Sequence, residues 1–142
     1  VNLYQEVILD HYKNPVGAGL REPFTDERHQ VNPVCGDEIT VRALVKHGCI
    51  SDVSYECQGC SISRASASVM ASLITEASAQ EAVSISDQFI SMIVSGEPGD
   101  EAVLGDGVAF VSVGRYPARV NCALIPWKSL TAILSSYGMG AS

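Results

Sequence analysis

The chain has little positive charge, and that scarcity removes a class of partner at once. Nine Lys and Arg stand against sixteen Asp and Glu, a formal net charge of −7. Nucleic acid and anionic membrane surfaces attract basic patches, so neither is expected as a partner. No apolar run approaches the ~18 residues that a membrane span needs. No charged n-region followed by a continuous apolar stretch stands at the start; Leu3, Tyr4, Val7 and Ile8 fall at helical spacing instead. A disulfide framework is missing too, because the five cysteines are odd in number and spread without a pattern of pairs. The expectation is a cytoplasmic protein whose cysteines are metal ligands, reactive thiols or core filler.

What is present suits one globular domain over residues 1–142, with 137–142 a flexible tail. At 142 residues and 46% hydrophobic content the chain can bury its own core. Helical spacing over 3–13 stops at Asn14-Pro15, because the residue before proline is pushed out of the α region. Strands are expected at 26–33, 38–46 and 50–57. In the second, Ile39, Val41, Ala43 and Val45 alternate with Thr40, Arg42 and Leu44. His47-Gly48 supplies a turn. The alanine- and serine-rich run 61–79 reads as a helix with Ile62, Ala65, Val69 and Leu73 near one face. Further helices are expected over 80–95, briefly within 100–114, and over 118–134, with a local irregularity at Pro126. The fold class is therefore α+β, a three-stranded antiparallel sheet covered by about five helices.

Three cysteine-centred segments carry the chemistry: Asn32-Pro33-Val34-Cys35-Gly36-Asp37, Gln58-Gly59-Cys60-Ser61-Ile62-Ser63 and Pro117-Ala118-Arg119-Val120-Asn121-Cys122-Ala123. Cys35, Asp37, Cys60 and Cys122 offer three thiolates and a carboxylate, a tetrahedral set for zinc or the ligands of an iron–sulfur cluster. Cys60 stands where a strand hands over to a helix, whose positive end should lower its thiol pKa. Arg119, three residues before Cys122, shares its helix face and can offset thiolate charge. Cys49 and Cys57 read as small buried hydrophobes. Cys57-Gln58-Gly59-Cys60 has the spacing of half a zinc ribbon, but no second such pair exists. A redox reading needs both cysteines in a helix's first turn, whereas Cys57 ends a strand. His11 reads as helix packing or surface, and His29 and His47 as solvated.

Together with Leu9-Asp10-His11-Tyr12-Lys13-Asn14-Pro15, these segments resemble the IscU/NifU-N family of iron–sulfur cluster assembly proteins, from about residue 3 to 136. The resemblance implies the IscU-like fold, a metal site exposed at one end, and Cys35, Asp37, Cys60 and Cys122 as ligands. The scaffold branch of that family typically places a histidine immediately before its third cysteine, where this chain has Asn121. That branch also carries Leu-Pro-Pro-Val-Lys just upstream, replaced here by Tyr116-Pro117-Ala118-Arg119-Val120. The interval from Cys60 to Cys122 is longer than in the scaffolds by roughly residues 95–114. All three features resemble the SufU branch. What that branch implies is zinc, with iron or a [2Fe–2S] cluster as the alternative occupant. It also implies a SufS-type cysteine desulfurase as partner, downstream iron–sulfur assembly proteins, and Cys35 as sulfur acceptor with electrostatic support from Arg119.

Overall fold

Alternating burial in residues 38–46 marks a strand with one covered face, and pairing on both of its edges makes it the middle strand of the sheet. The structure is a computed structural model that describes residues 3–33 and 36–136. Helix α1 (Leu3–Lys13) precedes strands β1 (Asp26–Val31), β2 (Glu38–Lys46) and β3 (Cys49–Gln58). Helices α2 (Ser61–Ile74), α3 (Ala79–Ser95), α4 (Glu101–Leu104) and α5 (Pro117–Ser135) follow, with a 3₁₀ segment, Gly105–Arg115, between the last two. The sheet is antiparallel in the order β1-β2-β3, the architecture expected.

Ile39, Val41 and Ala43 are buried on the covered face, while Thr40 and Arg42 between them are half-buried. Full burial of Ile39 and Val41 contributes about 1.5–3 kcal/mol each. Val45, expected on the same face, is only half-buried, because the β2–β3 register shifts between Leu44 and Val45. His47 and Gly48 both take positive φ (52° and 76°), which closes the turn between these strands tightly.

The outer edge of β3 is covered rather than open. Gly19 N–H donates to the Tyr55 carbonyl at 2.8 Å and Tyr55 N–H to that of Gly17 at 3.0 Å. Glu76 and Ala77 bond both sides of Ile50 in the same way. Gly17 has φ +80°, and a Cβ there would stand 2.7 Å from Ala71 Cβ and 3.1 Å from the Val53 carbonyl. Gly17→Ala is expected to destabilise the protein by about 1–3 kcal/mol, from left-handed strain compounded by that crowding. Urea unfolding measures it, and an unchanged midpoint would contradict the packing described.

Two expectations about the helices need correction. The helix from 61 stops at Ile74, short of 79, because Glu76 turns the chain with φ 74° and Ser78 starts α3. Ser78 and Glu81 form a reciprocal capping box, at 3.0 and 3.1 Å, a signal readable as Ser-x-x-Glu. Nor is α2 one-faced: every residue from Ala65 to Ala71 is buried. Its small side chains let α1, α5 and β3 approach from several sides, and its buried serines find partners. Ser66 Oγ donates to the Ala123 carbonyl at 2.6 Å and accepts from Trp127 Nε1 at 3.1 Å. Ser68 Oγ accepts from Val16 N–H at 2.8 Å and lies 2.7 Å from Nδ1 of buried His11, whose Nε2 lies 2.9 Å from Asp106 Oδ2. His11 is thus a packing residue, while His29 and His47 are exposed as expected. Trp127 stacks on Phe89 at 4.5 Å between ring centres, and Phe110 meets Phe89 edge-on at 5.7 Å. Helix α5 carries buried Pro126 within its length. Residues 100–114 hold α4 and most of the 3₁₀ segment; residues 137–142 lie outside the described residues. Among the described residues, no helix is long and apolar enough to cross a membrane.

Candidate metal centre

Sheet register decides which functional side chains meet. Glu38 pairs with Gln58 at one end of β2 and β3, so Asp37 and Gly59-Cys60, next along each strand, emerge side by side. Asp37 is only 5% exposed. Its Oδ1 accepts the Cys60 N–H at 3.3 Å, and its Oδ2 lies 3.8 Å from Cys60 Sγ. Gly59 makes that approach possible: a Cβ there would stand 3.0 Å from Asp37 Cγ and collide with Ser63 Oγ.

Cys60 is the N-cap of α2, in extended backbone (φ −74°, ψ 173°), and makes no side-chain capping bond. Its sulfur is therefore left at the positive end of a 14-residue helix for other work. Cys122, 1% exposed, comes from the second turn of α5, with Sγ 3.9 Å from the Ala118 carbonyl. One donor atom from each of Asp37, Cys60 and Cys122 lies within 4.8 Å of the other two. Donors around a tetrahedral zinc stand about 3.3–3.8 Å apart, given bond lengths of about 2.0–2.3 Å. The Cys60–Asp37 separation of 3.8 Å is already in that range. Two soft thiols and a carboxylate converging on one point, with Asp37 and Cys122 buried, fit a thiophilic divalent metal.

Cys35, the fourth expected ligand, lies outside the described residues. Its flanks are described. Asn32 N–H donates to the Asp37 carbonyl at 2.7 Å and Gly36 N–H to that of Asn32 at 2.8 Å, with Gly36 at φ +77°. Arg119 is exposed in the first turn of α5 and lines a cleft of about 560 Å³ with Ile8, Leu9, Tyr12, Ile62 and Tyr116. Ser61, the residue after Cys60, lines the same cleft, so Arg119 shares it with the start of α2.

The remaining cysteines separate. Cys57 is half-buried and packs against the core, as expected of filler; burial, ahead of the other influences, pushes its thiol up. It ends β3 while Cys60 caps α2, so the CxxC straddles two elements instead of opening a helix. Cys49 corrects the sequence reading: it is exposed, because it follows the His47-Gly48 turn on the outward face of β3, where there is no core to fill. Ser63 was not singled out from the sequence. Its Oγ touches Cys60 and Cys57, and its place three residues after Cys60, one helical turn on, is the signal that would have found it.

The sequence matches the NifU-like N terminal domain family over residues 3–123. It is 40% identical over 129 residues to the zinc-dependent sulfurtransferase SufU of Bacillus subtilis (strain 168), covering 90% of this chain and 86% of that protein. Against the iron–sulfur cluster assembly scaffold protein IscU of Thermotoga maritima it is 35% identical, covering 93% and 92%. The crystal structure of FiSufU of Fervidobacterium islandicum AW-1, described as an iron–sulfur cluster assembly scaffold protein for the SUF system, superimposes with a TM-score of 0.81 at 37% identity, covering 91% of this chain and 94% of that one. Fold, sequence match and the convergent cysteines agree: the chain belongs to the NifU-like N terminal domain family of iron–sulfur cluster assembly proteins.

Proposed function

We propose that this is a cytoplasmic, SufU-type sulfur acceptor that takes persulfide sulfur from a SufS-type cysteine desulfurase at Cys35 and relays it to downstream iron–sulfur assembly proteins. The observation that carries this reading is the convergence of Asp37, Cys60 and Cys122 at one end of the sheet, beside the loop that contains Cys35. Those four residues would hold zinc, which when bound keeps its sulfur ligands deprotonated at neutral pH. Asn121 in place of histidine before Cys122, and the insertion that folds as α4 and the 3₁₀ segment, support the SufU branch.

The chain's own residues supply the transfer chemistry. The Cys35 thiolate attacks the outer sulfur of the partner's persulfide; the partner's S–S bond breaks and its cysteine leaves as a thiolate, while Cys35 becomes the persulfide. Only Gly36 separates Cys35 from Asp37 in the sequence, so their Cα atoms are at most about 7 Å apart. The Asn32–Asp37 and Gly36–Asn32 hydrogen bonds anchor both flanks of that short loop against β1 and β2. Asp37 holds the Cys60 backbone through its Oδ1. Arg119, exposed on the cleft that it shares with Ser61, would offset the negative charge of the incoming persulfide.

The likeness to the Thermotoga scaffold favours one second reading, a transient [2Fe–2S] cluster assembled on the same residues. Metal analysis separates them. Sulfur transfer goes with about one zinc per chain surviving aerobic purification, and with faster alanine production when the protein is added to the desulfurase. A stoichiometric cluster formed anaerobically and handed to an apo-acceptor, without desulfurase stimulation, would establish the scaffold instead.

A further inference from the structure

We infer that Ser63 is the positioning residue of Cys60, holding its sulfur through a hydroxyl shared with Cys57; this rests on the ligand set proposed above. Ser63 is 0% exposed in the first turn of α2. Its Oγ donates to the Cys60 carbonyl at 3.0 Å, lies 3.8 Å from Cys60 Sγ, and accepts the Cys57 thiol at 3.8 Å. Gly59 packs against it so closely that any Cβ would displace the hydroxyl. The group is therefore pinned between two sulfurs, with the backbone of their shared CxxC behind it.

A serine hydroxyl has one proton and two lone pairs. The Cys57 S–H occupies a lone pair, leaving the proton a choice between the carbonyl and the sulfur of Cys60. A neutral thiol sulfur competes poorly with a carbonyl, and the short bond goes to the carbonyl. A sulfur carrying negative charge, as a metal-bound thiolate does, competes well because charge-assisted bonds are the stronger ones. Donation from Cys57 polarises the hydroxyl and strengthens its own donation onward. This relay orients Cys60 for its ligand role and withdraws electron density from its sulfur. Cys60 is thereby a weaker nucleophile than a cysteine without such a donor, which keeps it a ligand while Cys35 reacts.

The test uses the full chain titrated with cobalt(II), read by the sulfur-to-cobalt charge-transfer band and by competition with a chelator. Ser63→Ala is expected to fold cooperatively, to bind cobalt about tenfold more weakly, in line with the loss of an outer-shell partner, and to move the band to longer wavelength. Cys57→Ser, which keeps a donor, should leave the band in place; Cys57→Val should move it part of the way. An unshifted band with unchanged affinity in Ser63→Ala would overturn the inference. Should Ser63→Ala not fold, identical bands in Cys57→Ser and Cys57→Val would overturn it. Wild-type protein that takes up no cobalt would remove the ligand set and this inference with it. Desulfurase turnover is not read, so a failure of sulfur transfer remains a separate result.

Discussion

Cys35→Ala is expected to abolish stimulation of the desulfurase, returning alanine production to the rate of the partner alone, while the protein still folds and still binds that partner. The loss should be complete, not partial, because the acceptor atom is gone and the other candidate sulfurs are placed for different work. Cys60 caps α2 and is tied to Asp37 and Ser63; Cys122 is buried within α5. Cys57 keeps its proton through burial, and Cys49 lies at the β2–β3 turn, where the register places it at the opposite end of the sheet from Cys60. Folding should survive, since the loop's flanks are tied by backbone hydrogen bonds among Asn32, Gly36 and Asp37, which a change of side chain at residue 35 leaves in place. A stimulated rate equal to wild type would exclude Cys35 as acceptor.

Asp37→Ala is expected to cost metal affinity at least as much as the roughly 10–100-fold typical of losing an outer-shell partner. Two effects combine. A carboxylate vanishes from a set of donors within 4.8 Å of one another, and the Cys60 N–H loses its acceptor at 3.3 Å. An orphaned buried donor costs about 1–3 kcal/mol where water cannot replace the partner. Asp37→Asn separates the two effects, because the amide oxygen can still accept from Cys60 while the charge is gone. Chelator competition on the three proteins should therefore rank wild type above Asp37→Asn, and that above Asp37→Ala. Equal affinities would remove Asp37 from the ligand set.

Much of this was legible in the sequence because it rests on local rules. The period-2 pattern of Ile39, Val41 and Ala43 fixes a buried face, Asn14-Pro15 ends α1, and glycine with cysteine marks the turns of the site. Asp37, Cys60 and Cys122 are legible as ligand types from their segments, but their meeting is a tertiary fact: the Glu38–Gln58 pairing brings residues 37 and 60 together, and α5 delivers Cys122. What stayed hidden is also tertiary. Helix α2 looked amphipathic, yet it is buried from Ala65 to Ala71, because serines can lie in a core once Ala123, Trp127, His11 and Val16 bond them. Cys49 looked like core filler because free cysteines usually are; only the turn before it shows that it faces outward. The alanine-rich run continues past the end of α2 and hides it, although Ser78 and Glu81 spell the capping box that starts α3.

Whether sulfur reaches Cys35 decides the function proposed for this chain. The direct measurement is mass spectrometry of the zinc-loaded protein after turnover with a SufS-type desulfurase and cysteine, with thiols trapped and peptides mapped. Sulfur transfer requires the added mass of one sulfur atom on the peptide containing Cys35, absent when cysteine is withheld. Extra sulfur found only on another cysteine, or on none while alanine production is stimulated, would contradict it.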